Sequence, residues 1–268
     1  MEAPLISIII ACYNAEKYID QCMEELVNQT YANIEVIVCD DASTDESLMM
    51  LRKWAKKDAR IKVLNNDKNL FAAKTRNKCF KEAKGDYFCI QDIDDISRRN
   101  RVEKLLEEIQ KGHIDFVSSA MQCFNGYQDN LADILSPPKE YPTKTDFLSG
   151  ISFCHPATMF TRECIEAVGG YRVSRNTRRC QDYDLFMRLY AKGYRGKNIR
   201  TPLYLYRRNE DTLKRGWTLS ATMCEYKVRK YGYKEMKLPL FPSFLYSLRP
   251  WTSFLYHKIM YLFKYFAS

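Results

Sequence analysis

The 268 residues carry 42 Lys and Arg against 33 Asp and Glu, a net charge of +9, with 46% hydrophobic residues and 10 cysteines. This length supports one large domain, or one domain with an appendage, around a sizeable core, and the composition is not that of a disordered chain. The cysteines show no paired C-x-x-C spacing, which argues against structural zinc and against a disulfide framework. The start, Met1-Glu2-Ala3-Pro4, lacks the long apolar run of a secretion signal, so a cytoplasmic location is expected. Charge is unevenly spread: residues 171–268 hold 21 basic and 6 acidic side chains, a block of +15 suited to phosphates, nucleic acid or an anionic membrane. No nucleic-acid motif accompanies it, so nucleic acid is not an expected partner.

In chain order, Leu5–Cys12 is a near-continuous β-branched run, the pattern of a strand buried on both faces of a parallel sheet. A loop, Tyr13-Asn14-Ala15, leads into a helix to about Asn28, and a second strand covers Ile34–Cys39. Ser43 and Glu46 have capping-box spacing, which predicts that the next helix starts there. A third strand covers Ile61–Leu64, a helix about Ala72–Lys84, and Gly85 ends it before a fourth strand. The next predicted elements are a helix at about Arg98–Lys111 and a strand at Asp115–Ala120, and then residues 121–150, with Pro137, Pro138 and Pro142, read as an irregular insertion over the sheet edge. Phe153–Phe160 reads as a loop entering a strand. The helix Arg162–Val168 stops at Gly169-Gly170, Tyr171–Cys180 is a basic loop, and another helix runs from Gln181 to about Lys192. Strand-like Pro202–Arg207 follows. After Gly232 the composition changes, so a main domain over residues 1–232 (halves 1–95 and 96–232) and a tail over 233–268 are expected.

Strands alternating with helices predict an α/β fold, a mainly parallel sheet flanked by helices, whose ligands bind beyond the strand C-termini. Tyr13-Asn14, Asp40-Asp41 and Asp92-Ile93-Asp94-Asp95 all fall at those ends. No G-x-G-x-x-G follows the first strand and no G-K-[ST] loop occurs, so neither a dinucleotide site nor a P-loop is supported. Three carboxylates within four positions repel one another; the cluster is either a solvated acidic turn or a place for a hard divalent cation whose shell a nucleotide diphosphate completes.

These residues together resemble the inverting GT-A glycosyltransferases of family two, the bacterial type that builds surface polysaccharides. The likeness runs from about Leu5 to Lys214 and rests on ordered motifs: Ala11-Cys12-Tyr13-Asn14-Ala15, Asp40-Asp41-Ala42-Ser43-Thr44-Asp45, Arg76-Asn77, Gly85-Asp86-Tyr87, Asp92-Ile93-Asp94-Asp95, His155-Pro156 and Asp182-Tyr183-Asp184-Leu185. It implies a Rossmann-like GT-A fold with a C-terminal helical extension, and a metal-dependent transfer, with Mn²⁺ or Mg²⁺, from a nucleotide-diphosphate sugar, UDP-linked, to a hydroxyl of a saccharide acceptor that is lipid-linked. It further implies that Asp41 binds the base, with Ala11, Tyr13 and Asn14 shaping that pocket, and that Lys74 and Arg76 lie near the ribose or phosphates. Asp92 and Asp94 would be the metal pair, with Ile93 between them in the donor site, and Asp182 the general base. Gln181 stands where the family usually has glutamate, Phe71 where many members have glycine, and Asn209 where many have histidine.

Other readings of the same residues remain. Asp182 also suits a helix N-terminus through the dipole alone, Asp41 could assist a turn, and His155 could be a satisfied loop histidine or an acceptor contact. Arg207, Arg208, Lys214 and Arg215 form either a solvated basic loop or a lid over the diphosphate. Residues 251–266 have helical apolar spacing with internal charges, too short to span a bilayer; they either lie in an anionic membrane interface, making the protein peripheral, or cap the core. A polyprenyl-phosphate sugar synthase and a non-catalytic nucleotide-sugar-binding scaffold are the alternative functions, and no oligomeric state is implied.

Overall fold

The computed structural model describes residues 3–124, 131–137, 139–208 and 218–266, with side chains through Met260. The first half is the expected alternation: β1 (Ile6–Cys12), α1 (Glu16–Val27), β2 (Ile34–Asp40), α2 (Ser47–Lys57), β3 (Ile61–Asn65), α3 (Phe71–Glu82) and β4 (Tyr87–Asp92). Then come β5 (Ile96–Ser97), α4 (Arg101–Gln110), β6 (Phe116–Phe124), β7 (Leu131–Leu135), β8 (Thr158–Thr161), α5 (Arg162–Ala167), α6 (Gln181–Ala191) and β9 (Gly196–Arg207). Three helices close the chain, α7 (Leu219–Glu235), α8 (Leu240–Ser247) and α9 (Arg249–Phe266).

One sheet runs through the molecule in the order β3-β2-β1-β4-β8-β6-β9-β5, with β7 paired to β6. β1 to β4 are mutually parallel, so the ends of β1, β2 and β4 open on one edge; Ala11 is paired with both Cys39 and Asp92. β8 runs antiparallel between β4 and β6, and β9 is parallel to β6 and antiparallel to β5. Continuous β-branched burial in β1 and β2 follows from helices covering both faces. The two largest apolar clusters divide the helices between them: one holds α1 and α4 side chains such as Ile19 and Leu105, the other Phe80, Phe116, Phe186 and Tyr233.

Four expectations need correcting. The Ser43–Glu46 capping box does not form: Ser43 Oγ accepts from the Asn14 amide at 2.9 Å, and α2 starts later, at Ser47, whose amide donates to Asp45 Oδ1 at 3.0 Å. The loops after β1 and β2 compete for these groups and bind each other instead. Residues 121–150 are not wholly irregular, since β6 extends to Phe124, β7 pairs with it, and Thr143 and Asp146 form a true capping box on the 3₁₀ helix Lys144–Leu148. β9 begins at Gly196 rather than Pro202, because shifts in register around Ala120 admit the proline. The break drawn after Gly232 falls inside α7, where Tyr233 and Met236 remain in the core.

Gly85 fixes how β4 approaches β1. Its amide donates to Ser7 Oγ at 2.9 Å and to Glu35 Oε1 at 3.1 Å, and a Cβ there would stand 2.6 Å from the Leu5 carbonyl and 2.7 Å from the Ser7 nitrogen. Both obstacles are backbone, so they cannot swing aside. Gly85→Ala is expected to cost about 2 kcal/mol and to lower the melting temperature by roughly 4–8 °C in a thermal melt; an unchanged melting temperature would show that β1 and β4 separate freely here.

Candidate active site

The acidic turn after β4 is a braced structure, not a solvated one. Asp92 accepts an ion pair from the buried Arg76 of α3, and its amide donates to the Tyr204 hydroxyl at 3.0 Å. Asp95 is buried, and its Oδ1 accepts from the Arg207 amide at 2.7 Å. Burial pushes the Asp95 carboxyl well above the usual carboxylate range, and the charges of Asp94 and Asp92 push it further. The Arg207 side chain completes the brace, Nε donating to the Asp94 carbonyl and Nη2 to Gln21 Oε1, each at 2.7 Å. Its guanidinium lies over Tyr18 at 4.8 Å and Phe124 at 4.5 Å.

Arg207 therefore departs from both expectations, being neither a solvated loop residue nor a lid. Arg208 is half-exposed, its amide bonded to the Phe124 carbonyl at 3.0 Å and its guanidinium 3.9 Å from Asp133 on β7. Asn209, Lys214 and Arg215 lie outside the described residues. The Ile93 side chain packs into the core between the strands and α4, leaving its backbone to the turn.

Sequence reasoning missed what lies under the turn. Arg101 is fully buried; Nη1 donates to Gln91 Oε1 at 2.9 Å and Ser97 Oγ at 2.7 Å, and Nη2 to the Ile90 and Pro156 carbonyls at 2.6 and 2.8 Å. An arginine at the start of a predicted helix reads as surface, so nothing in the pattern marks it.

Beside the turn opens a cleft of about 670 Å³ lined by Arg76, Asp92, His155, Arg179, Gln181 and Asp182, with Ile134, Ile151 and Tyr206 among its apolar walls. Asp182 sits half-buried in the first turn of α6, Oδ1 accepting from the Tyr183 amide at 2.8 Å. Burial raises its carboxyl above the ordinary range; the Tyr183 amide and Arg76 oppose the shift and Asp92 adds to it. His155 is buried with Nε2 2.6 Å from the Tyr171 hydroxyl, and burial, helped by Arg76, pushes its imidazole down to about 3, so it is neutral near pH 7. Tyr171, read from sequence only as the start of a basic loop, stacks on Phe80 and lies under Arg76 at 5.8 Å. Its place after Gly170 looks like any core aromatic.

The predicted nucleotide-side residues Ala11, Tyr13, Asn14 and Asp41 lie at or just beyond the ends of β1 and β2. Asp41 is buried, and its Oδ1 accepts from Asn66 Nδ2 and the Leu70 amide, both at 2.8 Å. Asn14, at φ +48°, accepts from the Thr44 amide at 2.8 Å and so ties two loops together. Tyr13 is 48% exposed. Lys74 lies apart from Asp92, on a second cleft with Phe80 and Val173. Phe71, where glycine was the family's habit, takes φ +65°, with Arg178 stacked 3.2 Å over its exposed ring.

Among the described residues no three metal-binding side chains cluster. Asp92 and Asp94, two carboxylates at a strand end with one oxygen already held by Arg76, fit a hard ion such as Mn²⁺ or Mg²⁺ whose remaining ligands are phosphate oxygens and water.

Residues 7–169 match glycosyl transferase family 2. A Bacillus subtilis (strain 168) protein named as a glycosyltransferase, EpsE, is 33% identical over 252 residues, covering 92% of this chain and 88% of its own. S. aureus TarS in complex with UDP-GlcNAc superposes with a TM-score of 0.71 at 20% identity, covering 93% of this chain and 71% of that one. The mannosyltransferase PcManGT of Pyrobaculum calidifontis, in complex with GDP-Man and Mn²⁺, gives 0.59 at 16% identity, over 94% and 76%. The fold is thus the GT-A fold expected from the motifs, and the chain belongs to glycosyl transferase family 2.

Proposed function

We propose that this glycosyltransferase moves a sugar from a UDP-sugar to a hydroxyl of a saccharide acceptor, in one displacement that inverts the anomeric carbon. The observation that carries this reading is the shared cleft: Asp182, with its raised carboxyl, opens onto the same space as Asp92 and Arg76. The UDP-GlcNAc bound to TarS supports the donor class.

Asp182 accepts the proton of the acceptor hydroxyl as its oxygen bonds to the anomeric carbon and the bond to the diphosphate breaks. Arg76 holds the Asp92 carboxylate in place at the wall of the cleft. The neutral His155 orients Tyr171 without adding charge beside the base. Asp41 accepts from the base N–H with whatever capacity Asn66 and Leu70 leave, while Ala11, Tyr13 and Asn14 border the same edge. Gln181, at the first position of α6, contacts the acceptor. Asp92 and Asp94 would hold a Mn²⁺ or Mg²⁺ ion, which when bound offsets charge growing on the departing diphosphate.

Asp182→Asn is expected to keep donor affinity in titration calorimetry and to lower turnover by roughly two to four decades; equal losses in both would make Asp182 structural. Because its carboxyl is raised, the base form is lost as pH falls through a value above the ordinary aspartate pKa of about 3.9. The acid limb of kcat/KM should lie above that value in wild type and vanish in Asp182→Asn. Asp94→Asn should remove the stimulation of UDP binding by Mn²⁺ while preserving the melting temperature. Wild-type Mn²⁺ stimulation in that variant would exclude Asp94 as a ligand.

A further inference from the structure

The two most exposed large apolar side chains of the described residues, Leu240 and Phe241, lie on α8, in a C-terminal stretch that exposes several more. On α8, Leu240 is 89% exposed, Phe241 76% and Phe244 61%; on α9, Leu255, Tyr256, Ile259 and Met260 are exposed too. The first turn of α9 belongs to the fold, since Trp251 meets Tyr226 of α7 edge to face at 6.5 Å, but residues 255–260 of α9 and Leu240, Phe241, Phe244, Leu245 and Tyr246 of α8 are all exposed. Exposed apolar side chains on two helices that touch each other mark a docking surface. No described helix is long and apolar enough to cross a membrane.

Charge decides the occupant. Residues 238–266 contain no Asp or Glu, while Lys237, Arg249 and Lys258 are exposed around the face. A second copy would bring the same positive rim against this one, which opposes pairing. An anionic lipid surface matches both the apolar centre and the basic rim. The face also adjoins the cleft: α8 packs on the 3₁₀ helix Lys144–Leu148, and Arg249 Nη1 donates to the Ser149 carbonyl at 2.6 Å, two residues before the cleft wall at Ile151.

We propose that α8 and α9 seat the protein on an anionic lipid surface, Leu240, Phe241 and Phe244 entering the acyl boundary, so that the Ile151 wall of the cleft opens at headgroup level toward a lipid-linked saccharide. The leading insertion element is α8, ahead of the residues 251–266 that the sequence singles out. Only the nature of the acceptor rests on the glycosyl transfer proposed above; docking is read without activity, so a failure of transfer leaves it standing.

Cosedimentation of the full chain with phosphatidylcholine vesicles, containing or lacking phosphatidylglycerol, tests this. The full chain should sediment with the phosphatidylglycerol vesicles, less so at high salt, and F241E/F244E should bind about tenfold or more weakly at an unchanged melting temperature. Should that variant melt early, Leu240→Gln, which alters the most exposed of these side chains, should still weaken binding. A full chain that ignores both vesicle types overturns the proposal. So does a dimer in light scattering that F241E/F244E splits while vesicle binding stays the same, because the face would then join two copies of this chain.

Discussion

The site depends on how three aspartates are kept together at the end of β4. Asp92, Asp94 and Asp95 repel one another, and one of them is buried, so an unbraced turn would open toward water. The brace comes from more than a hundred residues away: the Arg207 amide caps Asp95, its guanidinium holds the Asp94 carbonyl, and the same group is anchored on Gln21 of α1. From the opposite side Arg76 holds Asp92, and from beneath Arg101 fixes Gln91 and Ser97. Because Arg207 ends β9 and Arg76 sits in α3, the turn closes only when both halves of the sheet are assembled. Order in the site is therefore coupled to order in the whole sheet.

The cleft beside that turn separates its titrating groups by environment. His155 and Asp182 both lose water, yet in opposite directions of charge: the imidazole becomes neutral and the carboxyl becomes a stronger base. Arg76 reinforces the first shift and moderates the second. A carboxylate moved toward neutral pH is better matched to taking a proton from a hydroxyl than one left at its ordinary value.

The parallel half was legible because burial on both faces writes itself as near-continuous runs such as Ile6–Ile10, interrupted only by Ser7, and because Asp or Asn at the strand ends marks one edge of the sheet. What stayed hidden was decided by partners far apart in sequence. Ser43 has the spacing of a cap but is claimed by Asn14 across a loop. β7 is exposed along most of its length and so lacks an alternating pattern. Arg207 and Arg101 look like surface cations because no local signal announces the carboxylate or carbonyls that bury them. Arg76, Asp92, His155 and Asp182, singled out by type and order, line one cleft, whereas Tyr171 and Tyr204, which bond to His155 and Asp92, were not singled out, since a tyrosine's hydroxyl partner cannot be read from its neighbours in the chain.

Phe71 opens α3 with a backbone angle that disfavours any side chain, at a cost of about 1–2 kcal/mol relative to glycine. Its ring is exposed and contributes little to the core, yet it carries the Arg178 guanidinium, from the loop that leads to Asp182, on the element that leads to Arg76. Glycine there would relax the chain and take away the ring on which the Arg178 guanidinium rests. Backbone strain and the placement of Arg178 thus pull position 71 in opposite directions.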